Sequence, residues 1–382
     1  MKKKIVSGIF SALFLLALLL PLCTTSLKQG DVSESENRTL AKFPQFVDPS
    51  GKISRKSVFG FESWFNDHIG FRLASSEAVS RMTLNVFHSS PSKAVHVGRD
   101  GWYYYTLEEN LLIPFGEFPL DEQTLQNVAD SQESIRLELE KMGIPYILVL
   151  TPSKTSIYPE YISSRRLAVR ETPIDTLTAY LQAHTGVTVV NTKPALLEEK
   201  ANGEQVYYKT CTHWNTLGSY AGFRSISDTV EQFTGKDMPT VEVTFHSEPH
   251  DGDLRGMMNA SRFTKPEQSL ECTVLHPKAR LDADSSLASE LDRIQNQPDS
   301  GWQGPSEVRY NDSAQGTILL FGDSFFGPNY QISEYFAECY HETVLIRCVT
   351  AYLEAIQLVK PDLVIMEITE RGIPVLLGRE MK

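Results

Sequence analysis

The chain opens with Lys2, Lys3 and Lys4, then an apolar run over residues 5–22, and carries no further charge until Lys28. A cationic start ahead of a long hydrophobic run predicts an N-terminal helix and an export signal, just long enough to cross a bilayer. The preceding lysines would stay on the cytoplasmic side and leave the rest of the chain outside. Signal peptide and uncleaved anchor are both open for residues 1–27, with the anchor favoured because residues 23–26 make a weak cleavage site. Pro21 and Leu22 before Cys23 lack the small residues expected of a lipidation signal. Residues 28–60 are polar and read as a linker.

Beyond the linker, the aromatic and helix-forming mixture of residues 59–86 predicts one helix or two. In VHVGRDGWYYYT, Arg99-Asp100-Gly101 separates two β-prone runs and predicts a hairpin. From Asp121 the pattern alternates. A helix ends at Gly143, and PYILVLTP is a continuous apolar run expected of a strand covered on both faces. Helices near 173–184, 194–201, 215–235, 331–338 and 350–359 alternate with the strands VTVVNT, VYYK, TILLF, TVLIRCV and LVIMEIT. Such alternation predicts an α/β three-layer sandwich with a mainly parallel sheet. Residues 240–316 are less regular and suggest a surface excursion.

Composition adds limits rather than a fold. With 41% hydrophobic and 22% charged residues the chain is globular, and its 382 residues suit one α/β domain with appended segments. A net charge of −12 argues against nucleic acid as a partner. Cys211, Cys272, Cys339 and Cys348 show no metal-ligand spacing, so neither a metal nor another cofactor is expected. Cys339 and Cys348 read as buried small hydrophobes flanking a strand.

Two short segments concentrate the chemistry. In FGDSFF (321–326) a strand ends in Gly322-Asp323-Ser324, placing a hydroxyl at the carboxyl edge of the sheet, where ligands of open α/β sheets bind. A helix starting there would aim the Ser324 amide at an oxyanion, and Gly322 would permit the tight turn. The plainer reading is a strand-to-helix turn with a serine cap. In YYKTCTHWN (207–215) His213 lies between a short β run and a helix, beside Trp214. A lone histidine is more often structural, but a serine needs a nearby base to be nucleophilic at neutral pH.

These segments belong to an ordered series. SENRTLAKFP (35–44), FESWFNDHIGFR (61–72), VGRDGWYYY (97–105), LTPSKTSIYPEY (150–161), YYKTCTHWNTLGSY (207–220), GDL (252–254) and FGDSF (321–325) together resemble the exported SGNH-hydrolase-like polysaccharide O-acetyltransferases, the group that contains the alginate O-acetylation proteins. Residues 255–316 match that group poorly within the SGNH-like domain expected over 61–382. The resemblance implies a permuted SGNH fold. Ser324 would carry the acetyl group, His213 would act as base, and the Ser324 amide would be one oxyanion donor. Arg347 corresponds to an arginine of relatives, with a strand-end salt bridge as its plainer reading. The implied substrate is a cell-surface or extracellular polysaccharide, and the implied partner a multispanning membrane acyltransferase. Trp214, Tyr208 and the other tryptophans Trp64, Trp102 and Trp302 are candidates for sugar stacking, with core packing as the alternative.

One departure from the family pattern matters. Where relatives have aspartate, this chain has Cys211. The carboxylate fixes the histidine tautomer and stabilises the imidazolium; its replacement by an amide costs about 10⁴ in turnover in serine proteases. A thiol with an ordinary pKa of roughly 8.5 is mostly neutral at pH 7. Three readings follow: Cys211 ionises beside His213, another acid or a carbonyl orients the ring, or activity is largely lost. The last would leave a polysaccharide-binding or scaffold subunit, and an acetylesterase is a further alternative. A nucleophilic Cys211 paired with His213 ranks below these.

Overall fold

The structure, a computed structural model, describes residues 2–25, 32–33, 38–47, 52, 55–118, 120–163, 171–296, 304–378 and 381. Trp302 and parts of the 28–60 linker lie outside these residues. An α-helix covers Lys2–Cys23. Among the described residues, no helix is long and apolar enough to cross a membrane. The chain divides into two compact units, residues 1–93 with 255–265, and residues 94–254 with 266–382.

In the first unit the predicted aromatic helical stretch is two helices, Arg55–His68 and Arg72–Val86. The break falls at Phe71, whose φ of 60° cannot continue a right-handed helix. Trp64 is buried there, edge-on to Phe43 at 4.8 Å and stacked on His68 at 5.2 Å.

The second unit is built on a seven-stranded sheet. Across it run Thr188–Asn191, Tyr146–Thr151, Leu363–Thr369, Thr317–Phe321, Glu342–Arg347, Gly304–Tyr310 and Arg280–Leu281. The first five run parallel and Gly304–Tyr310 pairs antiparallel with both its neighbours, so the sheet is mixed, with parallel pairings in the majority as expected. Tyr146–Thr151 and Leu363–Thr369 are buried at every position, which explains their unbroken apolar sequences. Alternate residues serve opposite faces. Ile147, Val149, Ile318, Leu320, Leu345 and Ile365 join one core, against helices Thr216–Thr234 and Ile332–Cys339. Leu148, Leu150, Leu319, Phe321, Ile346 and Met366 join the other, against Glu122–Lys141, Pro173–His184, Ser286–Gln295 and Leu353–Val359. Helices on both faces make three layers.

Local signals explain several boundaries. Asp121 caps Glu122–Lys141 by accepting from the Thr124 amide at 2.8 Å, and Gly143 follows it with a φ of +74°. The predicted hairpin pairs Val95–Val97 with Tyr103–Tyr105, and Asp100 and Gly101 both take the positive φ of its turn.

Two expectations need correction. VYYK supplies a single bridge, Tyr207 to Trp214, because its residues pack into the core rather than extend along a neighbour. The irregular stretch 240–316 is substantially structured. It contains the antiparallel pair Val243–His250 and Glu267–Val274, the helices Asp253–Met257 and Ser286–Gln295, and the sheet strands Arg280–Leu281 and Gly304–Tyr310. Val243–His250 is mostly exposed, so no apolar alternation announces it.

Candidate active site

Ser324 follows the strand Thr317–Phe321 across a two-residue turn, at the carboxyl edge of the sheet. Gly322 is needed there for close approach: an added Cβ would lie 2.7 Å from Phe326 Cβ. No positive φ is involved. The condition of a helix starting at Ser324 is met only by a single turn, and the next α-helix is Ile332–Cys339. Ser324–Phe326 is one 3-10 turn, and its cap is Asp323 rather than serine. One Asp323 oxygen accepts from the Phe325 amide at 2.8 Å, and the other from the Thr369 amide at 2.9 Å, at the end of the adjacent strand. The Asp323 amide in turn donates to buried Glu367 at 3.2 Å. Burial, then the Asp323 charge, holds the Glu367 carboxyl well above its usual range.

His213 arrives from a loop with little regular structure. Buried Lys154 clamps that loop by donating to the carbonyls of Tyr208, Lys209 and Cys211 at 3.1, 3.0 and 2.6 Å. Glu267 accepts the amides of Lys209 and Thr210 at 2.8 and 2.7 Å. Glu271 accepts from Tyr208 Oη at 2.9 Å and from Thr216 Oγ1 at 2.6 Å. Both glutamates lie on the strand Glu267–Val274, inside the stretch that sequence reading left irregular. Trp214 ties the loop to the serine turn, its Nε1 donating to the Phe325 carbonyl at 3.2 Å.

The result brings His213 and Ser324 together, with Nε2 2.7 Å from Oγ. The His213 ring stacks on Tyr330, centroids 4.7 Å apart, and tilts against Phe325 at 4.9 Å. Around Nδ1 lie Thr212 Oγ1 at 2.9 Å, Cys211 Sγ at 3.3 Å and Asp253 Oδ2 at 3.7 Å. Burial, reinforced by Arg371, Arg347 and Lys154, brings the imidazole down to about 3, although Asp253 opposes it. Burial and the Asp253 charge push the Cys211 thiol up to about 12. A raised thiol pKa favours the neutral form at pH 7 and so weighs against both the ionised-cysteine reading and Cys211 as nucleophile. Asp253 is pulled up by burial, but His213, two Thr212 bonds and Lys154 outweigh that, and its carboxyl lies below the usual range. Burial lowers the Lys154 amine to about 8.

The remaining expected residues have defined places. Arg347 ends its strand buried, with its guanidinium against Gly327, three residues past Ser324; an added Gly327 Cβ would lie 3.0 Å from a guanidinium nitrogen. Burial pushes Arg347 down while Asp323 and Glu307 oppose it. Tyr208 and Trp214 are buried, as is Trp102, so none offers a free face for sugar stacking. Tyr208 packs instead on His250 at 3.5 Å. Cys339 and Cys348 are buried thiols outside any disulfide, as the plain reading held.

Sequence reasoning missed Lys154, Thr212, Asp253, Tyr330 and Arg371. Lys154 and Asp253 lay within noted segments, 150–161 and 252–254, but nothing in a linear string aims them at His213. Cys211, His213 and Asp253 also place one possible metal-ligand atom each within 4.8 Å of the others. Thr212 already contacts both Nδ1 and Asp253 Oδ2, so the atoms a cation would take are engaged.

Residues 95–351 match the family model for the SGNH hydrolase-like domain of the acetyltransferase AlgX, which is more than half of the chain. The chain belongs to this family. It is 27% identical over 269 residues to the "Probable alginate O-acetylase AlgJ" of Pseudomonas fluorescens, covering 63% of this chain and 65% of that protein. Identity to its Pseudomonas aeruginosa namesake is 22% over 277 residues, 72% of this chain and 65% of the relative. The chain thus spans just under two thirds of these relatives' length. Among solved structures, the O-acetyltransferase domain of Pseudomonas putida AlgJ aligns with a TM-score of 0.51 at 17% identity, over 74% of this chain and 92% of that domain. Bacillus cereus PatB1 bearing a sulfonyl adduct aligns at 0.50 and 14% identity, over 75% and 97%. Those two likenesses bear on the fold, which is SGNH-hydrolase-like.

Proposed function

We propose that this chain is an exported O-acetyltransferase that acetylates hydroxyls of a cell-surface or extracellular polysaccharide through an acetyl-Ser324 intermediate. The observation that carries this reading is the 2.7 Å contact between His213 Nε2 and Ser324 Oγ. Neutral His213 takes the serine proton as Oγ attacks the acetyl carbonyl of the donor. The imidazolium returns that proton to the leaving group. A sugar hydroxyl, deprotonated by the same Nε2, then attacks the acetyl-serine and restores the enzyme. The Ser324 amide is the proposed first oxyanion donor, and the nearby cations Arg347 and Arg371 favour negative charge in the pocket. Water in place of the sugar would make the chain an acetylesterase.

Export and membrane attachment rest on the triple-lysine start and the apolar run of residues 5–22. The acetyl donor is proposed to be a multispanning membrane acyltransferase, as the family resemblance implies. A second reading, a catalytically degenerate scaffold, is favoured by one observation, the neutral Cys211 at the family's acid position. Hydrolysis of an activated acetyl ester by the full chain in detergent separates the two. The enzyme reading expects turnover lost in Ser324→Ala; equal rates in both proteins would leave the scaffold.

A further inference from the structure

A histidine base needs Nδ1 protonated, so that Nε2 has its lone pair toward the serine. In this chain Cys211 lies 3.3 Å from Nδ1, but a neutral thiol accepts weakly and carries no charge to balance the imidazolium. A carboxylate is nonetheless close. Asp253 Oδ2 accepts the Thr212 hydroxyl proton at 2.6 Å, and Asp253 Oδ1 accepts the Thr212 amide at 2.8 Å. Having given its only proton to Asp253, Thr212 Oγ1 can meet Nδ1, 2.9 Å away, only as an acceptor. Proton counting then fixes the tautomer: Nδ1–H donates to Thr212, Thr212 donates to Asp253, and Nε2 faces Ser324.

Resting on the Ser324–His213 reading above, we propose that Asp253, acting through the Thr212 hydroxyl, is the positioning acid for His213 and replaces a carboxylate at position 211. Asp253 fixes the tautomer through one intervening oxygen and supplies a negative charge 3.7 Å from Nδ1 when the ring becomes imidazolium. No proton leaves Asp253 or reaches it during turnover. Two backbone features hold the arrangement. The Leu254 amide donates to the Thr210 carbonyl at 3.1 Å, and Gly252 sits so close that an added Cβ would be 2.1 Å from that same oxygen.

The test measures two quantities on the full chain in detergent. One is the rate of Ser324 sulfonylation by a small sulfonyl fluoride. The other is the ¹⁵N shift pair of His213, assigned by loss of its signals in His213→Gln. Asp253→Asn and Thr212→Val are expected to slow sulfonylation on the order of 10² to 10³-fold, less than the about 10⁴ lost when a directly bonded acid is neutralised. Both should move the His213 shifts away from the Nδ1–H tautomer. Thr212→Ser keeps the hydroxyl and should retain the wild-type rate. Cys211→Asp in the Asp253→Asn background should restore most of the rate, because the acid returns to Nδ1; a purely structural Asp253 would not be rescued this way. Wild-type rates and shifts in Asp253→Asn, or no recovery in the double variant, overturn the proposal. A wild-type chain inert to the reagent but with the Nδ1–H shift pair lost in Asp253→Asn would uphold the relay and instead remove the acetyltransferase reading.

Discussion

The two segments that meet at the site are held by opposite means. The Ser324 turn is fixed by what is near it in the sheet. Its strand is central, Gly322 allows close packing, and Asp323 caps its own turn while holding the next strand end. The His213 loop is fixed by partners distant in sequence: Lys154 from 54 to 57 residues away, and Glu267 from 57 to 58. A hydroxyl at a strand end comes with the architecture. The base beside it depends on a buried lysine and a partly buried glutamate that must each keep their partners.

That contrast can be broken by substitution. The largest effect is expected from Ser324→Ala: loss of activated-ester turnover on the order of 10⁴ or more, with the melting temperature nearly unchanged. Next is Lys154→Met, which leaves three buried carbonyls without their donor and should cost about 2–4 kcal/mol in a denaturant titration. Turnover should fall with it, since the loop carries His213. Gly322→Ala probes the serine side; forcing a Cβ against Phe326 should cost about 1–3 kcal/mol. The smallest effect belongs to Tyr208→Phe. It removes a buried hydroxyl from Glu271 and should cost about 1 kcal/mol, with KM for a polysaccharide acceptor unchanged because Tyr208 has no exposed face.

The pH profile sharpens the same comparison. Only neutral His213 can accept the serine proton, so kcat/KM rises with pH through its pKa and is flat above. Burial has brought that pKa down to about 3. The profile should therefore be level from about pH 8 to about pH 5, where an unperturbed histidine near 6.5 would already have shown its acid limb. Cys211→Asp puts a carboxylate beside Nδ1 and should move the limb upward.

Much of the serine half could be read from sequence, because apolar continuity and a terminal Gly-Asp-Ser report on local structure. The helix of Glu122–Lys141, with Asp121 before and Gly143 behind, was legible for the same reason. The histidine half was legible only as a candidate. Glu267–Val274 alternates too weakly to announce a strand, and Asp253 gives no linear sign that it lies 3.7 Å from His213. The aromatic neighbours misled: Trp214 and Tyr208 suggested sugar contacts, whereas their rings and polar tips hold the loop in place. Cys211 was recognised as a departure from the family pattern, but the acid available to replace it emerges only once Thr212 and Asp253 are seen together.

The most direct test of the Ser324–His213 pair is intact-protein and peptide mass spectrometry after treatment with a sulfonyl fluoride. A single adduct on Ser324 is predicted in the wild type, with labelling abolished in Ser324→Ala and strongly slowed in His213→Gln. An adduct on Cys211, or Ser324 labelling indifferent to His213, would contradict the account.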